Sequence, residues 1–230
     1  MPLRLITIDL DDTLWPSRPP LEAAERALYR WLQVCAVRLT ERHDMASLRE
    51  HRLALREARP DLAHDITGLR RVSLEQLLSE AGYPETLAQR AMEVFLEHRN
   101  RVSPYADASP VLRVLAERFR LISVTNGNAD VERTRLSGHF HHALRAEQVG
   151  AAKPDPALFT AALAVAHAMP REALHLGDDP LLDVEAARRV GMHAVWMNRN
   201  ATTWPAQLAP PEAEVADMYA FSHWLDDTQA

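Results

Sequence analysis

The sequence predicts an α/β fold: a Rossmann-like parallel sheet with helices on both faces, interrupted by an inserted helical domain. Three observations carry this. Short apolar runs alternate with helical patterns through the second half of the chain. A matching apolar run, Leu3 to Leu10, opens it. Between the two lies an insertion, residues 16–103, of which roughly 21–101 shows helical periodicity and almost no strand signal.

Leu3 to Leu10 is short and β-branched at its centre, as a buried strand should be. Residues 16–20, PSRPP, are expected to break the chain. Leu21, Ala24, Leu28, Trp31, Leu32 and Cys35 then follow helical spacing. Ser73 to Gln76 matches a capping box and is expected to start a second helix, with Gly82 placed to end it. A third helix spans about 85–99 and stops at Ser103-Pro104. Beyond it, the pattern predicts helix 109–118, strand 121–125, a helix near 129–136 and a weak strand near 143–145. Helix 156–167, strand 173–177, helix 181–190 and strand 193–197 follow, and the tail after 200 reads as a loop and a terminal helix. The expected division is a catalytic core of 1–15 and 104–230 with a helical domain of 16–103.

Composition bounds the function. Of 230 residues, 47% are hydrophobic and 25% charged, an ordinary globular balance. The net charge of −6 argues against a nucleic-acid partner, though a local cation can still bind a small anion. A single cysteine, Cys35, rules out an intrachain disulfide and suits a reducing compartment. No run of about 18 apolar residues predicts a membrane span, and no signal peptide is expected, so the expected location is cytoplasmic. Oligomeric state is left open between monomer and homodimer.

Ligands of open α/β sheets bind beyond the carboxyl ends of the strands. Asp9-Leu10-Asp11-Asp12-Thr13 follows the first strand, Thr125-Asn126-Gly127 the second, and Gly177-Asp178-Asp179, with Asp183 beyond, the fourth. Lys153-Pro154 precedes the helix that feeds the fourth strand. Asp9 and Asp11 are two apart and lean to one face if strand geometry persists. Carboxylates that close repel, and Asp178 adds a third, so a shared cation is expected, with hard oxygen ligands suiting Mg²⁺.

The order D-x-D-x-T, T-N-G, K-P and G-D-x-x-x-x-D resembles the haloacid dehalogenase superfamily of phosphatases, over Leu3 to about Arg199. The resemblance implies Asp9 as a nucleophile that forms an aspartyl-phosphate and Asp11 as general acid and base. It implies Thr125 and the Asn126 N–H as the phosphate cradle, and Lys153 as the cation holding phosphoryl group and nucleophile together. Mg²⁺ would lie between Asp9, the Asp11 carbonyl and Asp178, with Thr13 and Asp183 in support. Carbon–halogen-cleaving members resemble a D-x-Y pattern; the acid at Asp11 points instead to phosphate esters. Thr13 leans away from the phosphoglucomutase branch.

The helical insertion resembles a cap that reads the leaving group. Its polar segment 59–67 with Arg70 and Arg71, and the following Ser73 to Gln76, resembles bacterial phosphatases of flavin mononucleotide and of the phosphorylated ribitylamino-pyrimidine of riboflavin synthesis. His64 and Arg70 are the candidate specificity residues. The expected partner is thus a small phosphorylated metabolite. Other phosphomonoesters, such as nucleotides and sugar phosphates, and a non-catalytic phospholigand module are the alternatives. Trp15 is a candidate to stack on a planar leaving group, or to pack in the core. His139, His141 and His142 flank Phe140 and are read as strand-edge residues rather than a metal cluster.

Overall fold

A computed structural model describes residues 3–229. The chain divides into two compact units, 1–16 with 103–230, and 17–102.

The first unit is built on a six-stranded sheet in which every pairing is parallel. Its strands are β1 (Leu5–Ile8), β2 (Arg120–Thr125), β3 (His142–Arg145), β4 (Ala173–Gly177), β5 (His193–Met197) and β6 (Glu214–Val215). Their order is β3-β2-β1-β4-β5-β6, so β1 lies between β2 and β4. Leu5 pairs with Arg120 on one side and Ala173 on the other. The chain builds outward from β1 through β2 to β3, then crosses back to place β4 on the other side of β1. That reversal is a topological switch point, where ligands of such sheets collect. Central strands buried on both faces must be apolar throughout. LITI in β1 and ALHLG in β4 are buried at every position. On one face Leu158, Phe159 and Ala162 pack with Leu5, Ile122, Val124 and Trp196 in one apolar cluster.

The second unit is helical: α1 (Arg18–Cys35), α2 (Val37–Thr40), α3 (Met45–Ala58), α4 (Ile66–Glu80) and α5 (Leu87–Arg99). Leu28 and Leu32 of α1, Leu74, Leu77 and Leu78 of α4, and Met92 and Phe95 of α5 form its core. Each such side chain taken from water contributes about 1.5–3 kcal/mol. The helices of the first unit are α6 (Ala108–Ala116), α7 (Ala146–Val149), α8 (Ala157–Ala166), α9 (Ala186–Arg189) and α10 (Met218–Gln229). No helix of the described residues is long and apolar enough to cross a membrane.

Five sequence expectations need correcting. PSRPP does not exclude helix: α1 begins at Arg18 with prolines in its first turn, where the missing N–H costs nothing. Ser73 does not start a helix; it sits buried in the middle of α4, its hydroxyl 2.8 Å from His51 Nδ1. The N-cap is Asp65, which accepts from the Gly68 N–H at 2.6 Å. A Cβ at Gly68 would come 2.2 Å from the Asp65 carboxylate, so the cap needs glycine there. The helix expected near 129–136 is a single 3₁₀ turn, Val131–Arg133. Thr134 Oγ1 donates to the Val131 carbonyl at 2.7 Å and accepts from the Leu136 N–H at 3.1 Å, taking groups a helix would need. The helix expected over 181–190 is a π-helical turn, Pro180–Glu185, followed by the short α9. The edge strand β6 was read as loop, because two residues carry no alternation to detect.

Candidate active site

The ends of β1, β2 and β4 converge on a cleft of about 290 Å³. Asp9 follows β1 directly, and its N–H continues the ladder to the Leu176 carbonyl at 2.9 Å. The backbone then turns sharply: Asp12 has φ of 61° and its N–H donates to the Trp15 carbonyl at 2.7 Å. Aspartate tolerates this left-handed conformation better than most residues. The Trp15 indole N–H donates to Asp11 Oδ1 at 2.8 Å, and Trp15 is fully buried. Trp15 therefore packs in the core and orients Asp11, and it offers no face for stacking on a ligand.

Lys153 enters from the segment before α8. Its backbone N–H donates to Asn126 Oδ1 at 2.7 Å, and Asn126 Nδ2 donates back to the Lys153 carbonyl at 2.9 Å. This two-way clasp fixes the lysine against the end of β2. Thr125 Oγ1 accepts from the Gly127 N–H at 2.9 Å and shapes the same turn. The ammonium of Lys153 is buried and donates three ways: to Asp9 Oδ1 at 2.6 Å, Asp183 Oδ1 at 2.5 Å and the Val124 carbonyl at 3.0 Å. All three protons are used.

Asp178 follows β4 and lines the cleft, with Thr13 Oγ1 donating to its Oδ1 at 3.3 Å. Asp179 plays another part. Its carboxylate caps the next turn, accepting from the Leu181 and Leu182 N–H groups at 2.8 Å. Asp183 approaches the end of β4 so closely that a Cβ at Gly177 would sit 2.3 Å from its carboxyl carbon. Only glycine fits there, which explains the glycine of the G-D pair.

The electrostatics follow from burial. Burial raises the Asp9 carboxyl well above the ordinary range; Lys153 opposes this, while Asp183 and Asp178 add to it. Burial, then Asp183 and Asp12, push Asp178 up to about 7. Burial also works against the Asp183 anion, but Lys153 and His175 outweigh it and hold that carboxyl well below its usual value. Burial works against the Lys153 cation too, and Asp183 and Asp9 outweigh it, so the lysine stays charged. One fixed cation thus faces more carboxylate than it can neutralise.

That excess tests the metal expectation. Carboxylate oxygens of Asp9, Asp178 and Asp183 lie within 4.8 Å of one another. Asp183 is already engaged: Oδ1 accepts from Lys153 and His175, and Oδ2 from the Asp179 N–H at 3.0 Å. Asp9 and Asp178 are the pair with oxygen to offer, and hard oxygen donors of this kind fit Mg²⁺. Asp183 meets the site through Lys153.

Two residues escaped the sequence reading. His175, fully buried in β4, places Nε2 3.1 Å from Asp183 Oδ1 and Nδ1 2.8 Å from Thr7 Oγ1. Burial keeps its pKa below the ordinary value, so the ring is neutral and donates through Nε2–H. The available signal was one polar residue in each of two apolar central strands. His139 meets Ser109 Oγ at 2.9 Å, and His141 Nδ1 accepts from the Leu121 N–H at 3.1 Å. No metal-holding group forms there among the described residues. His64 and Arg70 both belong to the helical unit, His64 in the turn before α4 and Arg70 buried within α4.

Residues 3–191 match the haloacid dehalogenase-like hydrolase family. The chain belongs to this family. It is 34% identical over 215 residues to the 5-amino-6-(5-phospho-D-ribitylamino)uracil phosphatase YigB of Escherichia coli, covering 89% of each chain. A phosphoserine phosphatase of Thermus thermophilus is 36% identical over 149 residues, 62% of this chain and 59% of that one. Among solved structures, one described as a 2-haloacid dehalogenase from Pseudomonas syringae superposes with a TM-score of 0.90 at 39% identity, covering 96% of this chain and 99% of that one. This haloacid dehalogenase-like hydrolase is an enzyme of the phosphatase kind.

Proposed function

We propose that the chain is a Mg²⁺-dependent phosphomonoesterase that works through an aspartyl-phosphate on Asp9. The observation that carries this is the Lys153 ammonium, buried and bonded at once to Asp9 and Asp183 beside Asp178. A carboxylate nucleophile needs no base, but it must approach a phosphate dianion. Lys153 offsets that repulsion and fixes which Asp9 oxygen attacks. Asp11, oriented by Trp15, gives its proton to the leaving alkoxide as the P–O bond to the substrate breaks. It then takes a proton from water, whose oxygen attacks phosphorus and releases phosphate and free Asp9. Thr125 and the Asn126 N–H receive the phosphoryl oxygens. Mg²⁺, held by Asp9, Asp178 and the Asp11 carbonyl, would supply further positive charge to the phosphoryl group. Thr13 steadies Asp178, and Asp183 steadies Lys153.

The helical unit serves as the cap that selects the leaving group, with His64 and Arg70 as specificity residues. The preferred substrates are flavin mononucleotide and the phosphorylated ribitylamino-pyrimidine of riboflavin synthesis. The YigB relative, matched over most of both chains, supports this choice.

A dehalogenase reading draws on the Pseudomonas syringae structure. Asp11 argues against it, since displacing halide requires no proton donor. The test is a panel of phosphate release from flavin mononucleotide, the pyrimidine phosphate, nucleotides and sugar phosphates, with halide release from 2-chloropropionate alongside. Mg²⁺-dependent phosphate release, abolished in Asp9→Asn, is expected. Halide release without phosphate release would overturn the phosphatase reading. A nucleotide or sugar phosphate preferred by more than about tenfold, roughly 1.4 kcal/mol, would overturn the flavin reading alone.

A further inference from the structure

A cavity in the helical unit, open on one side and lined from α1, α3 and α4, has a volume of about 910 Å³. That is the size of a small-molecule site. Its lining has a sign opposite to that of the chain. Arg18, Arg26, Arg49, Arg52 and Arg70 all face it. Only two carboxylates, Glu22 and Glu25, oppose them. The chain as a whole carries −6.

Two of the arginines, Arg52 and Arg70, are built in. Glu25 Oε1 accepts from Arg70 Nη1 at 2.8 Å and from Arg52 Nη2 at 2.9 Å, so one oxygen serves two guanidiniums. Arg70 is 6% exposed, and its guanidinium carbon lies 3.8 Å from the Phe95 ring centroid. Burial, with Arg52 and Arg99 nearby, lowers its pKa to about 10 despite Glu25. It stays charged at neutral pH. A buried arginine held against like charges is poor stability design, because an apolar side chain of similar size often stabilises more. The same cavity exposes apolar surface. Leu21 and Met45, at 40% and 39% exposure, are two of the large apolar side chains the molecule leaves in water, and both line it.

We propose that the helical unit carries an organic-anion site of its own: Arg49, Arg52 and Arg70 hold a phosphate or carboxylate head, and Leu21 and Met45 take an apolar body. Arginine forks match either head in bidentate fashion. The substrates proposed above carry one phosphate, which goes to Asp9, so the head belongs to a separate anion. The site does not depend on the catalytic reading above, because its occupancy is read at Met45.

The experiment uses the full Asp9→Asn chain with methionine methyls labelled with ¹³C, titrated with phenylphosphonate. The Met45 methyl should shift saturably below about 10 mM, and benzyl alcohol, the neutral counterpart, should leave it in place. Arg49→Gln, an exposed position, should weaken the apparent affinity about tenfold while the circular dichroism spectrum stays that of the parent. Arg49→Lys, which keeps the charge, should recover part of the loss. An excess of inorganic phosphate should displace the probe from Met45; a probe that phosphate cannot displace overturns the anion site. A Met45 methyl that does not move, or moves alike in parent and Arg49→Gln, overturns it.

Discussion

Asp9 and Asp183 share one buried lysine, and their amide variants should separate activity from stability in opposite ways. Asp183→Asn keeps the volume and removes the charge. Its carboxylate now accepts from Lys153 and His175 through one oxygen and from the Asp179 N–H through the other. An amide has one accepting oxygen, so one of these donors is stranded inside the protein. Breaking a buried ion pair from one side costs about 3–5 kcal/mol. Asp9 still faces Lys153 at 2.6 Å, so the lower end applies, about 3 kcal/mol. For a chain of this size that is a fall in Tm of roughly 6–12 °C. Asp9→Asn should act otherwise. Burial and its neighbours Asp183 and Asp178 already disfavour the Asp9 anion. The amide oxygen can still accept from Lys153, and carboxylate repulsion is relieved. Its metal-free stability should be unchanged or raised by about 1–2 kcal/mol, although turnover is lost. Urea denaturation of both variants without divalent cation measures the difference. Equal destabilisation of the two, or an Asp183→Asn loss under about 1 kcal/mol, would refute this division of labour.

Asp178→Ala should weaken Mg²⁺ binding by calorimetry far more than Asp179→Ala, which should instead cost about 1 kcal/mol of stability as a lost cap; the reverse order would place the ligand one residue along. His175→Phe keeps the aromatic packing on Phe159 but removes one of the three donors that hold Asp183, so kcat should fall about tenfold with KM little changed; an unchanged kcat would remove His175 from any positioning role. Without metal, Asp178 keeps its proton up to about pH 7 in the folded chain and only to about 4 in the unfolded chain, so the folded state binds more protons between those values. Metal-free stability should therefore fall as pH rises through that window. Mg²⁺ should raise Tm more near pH 8 than near pH 5, as differential scanning calorimetry can show; a pH-independent Mg²⁺ effect would contradict it.

The sheet was legible because strands buried on both faces are written as apolar runs, and the ends of β1, β2 and β4 marked the candidate site residues. ALHLG and HAVWM were located to the residue. What stayed illegible was decided by side chains answering to backbone at short range. The capping-box pattern at Ser73 was overruled by Asp65 and Gly68, eight and five residues earlier. The turn at 131–133 was closed by Asp130 and Thr134 before a helix could form. In the site, Asp9, Thr125, Lys153 and Asp178 were readable as polar residues at strand or helix edges. The sharing of Lys153 between Asp9 and Asp183 was not, since residues 144 and 30 positions apart meet only through sheet topology.

That topology also accounts for the charge distribution. With β1 between β2 and β4, their carboxyl ends bring Asp9, Thr125 and Asp178 to one edge without any long loop. Lys153 is clasped to Asn126 at the end of β2 and anchored by Asp183 under β4, so its ammonium is fixed from both sides of Asp9. His175 and Thr7, adjacent in the β1–β4 pairing, tie that anchor back into the sheet. The charge of the lysine is therefore fixed beside Asp9 before a phosphoryl group arrives, and preorganised charge of this kind is where phosphoryl transfer gains most. The cost falls on Asp9 and Asp178, left with more negative charge than one lysine balances, and a bound divalent cation is the simplest group that removes it.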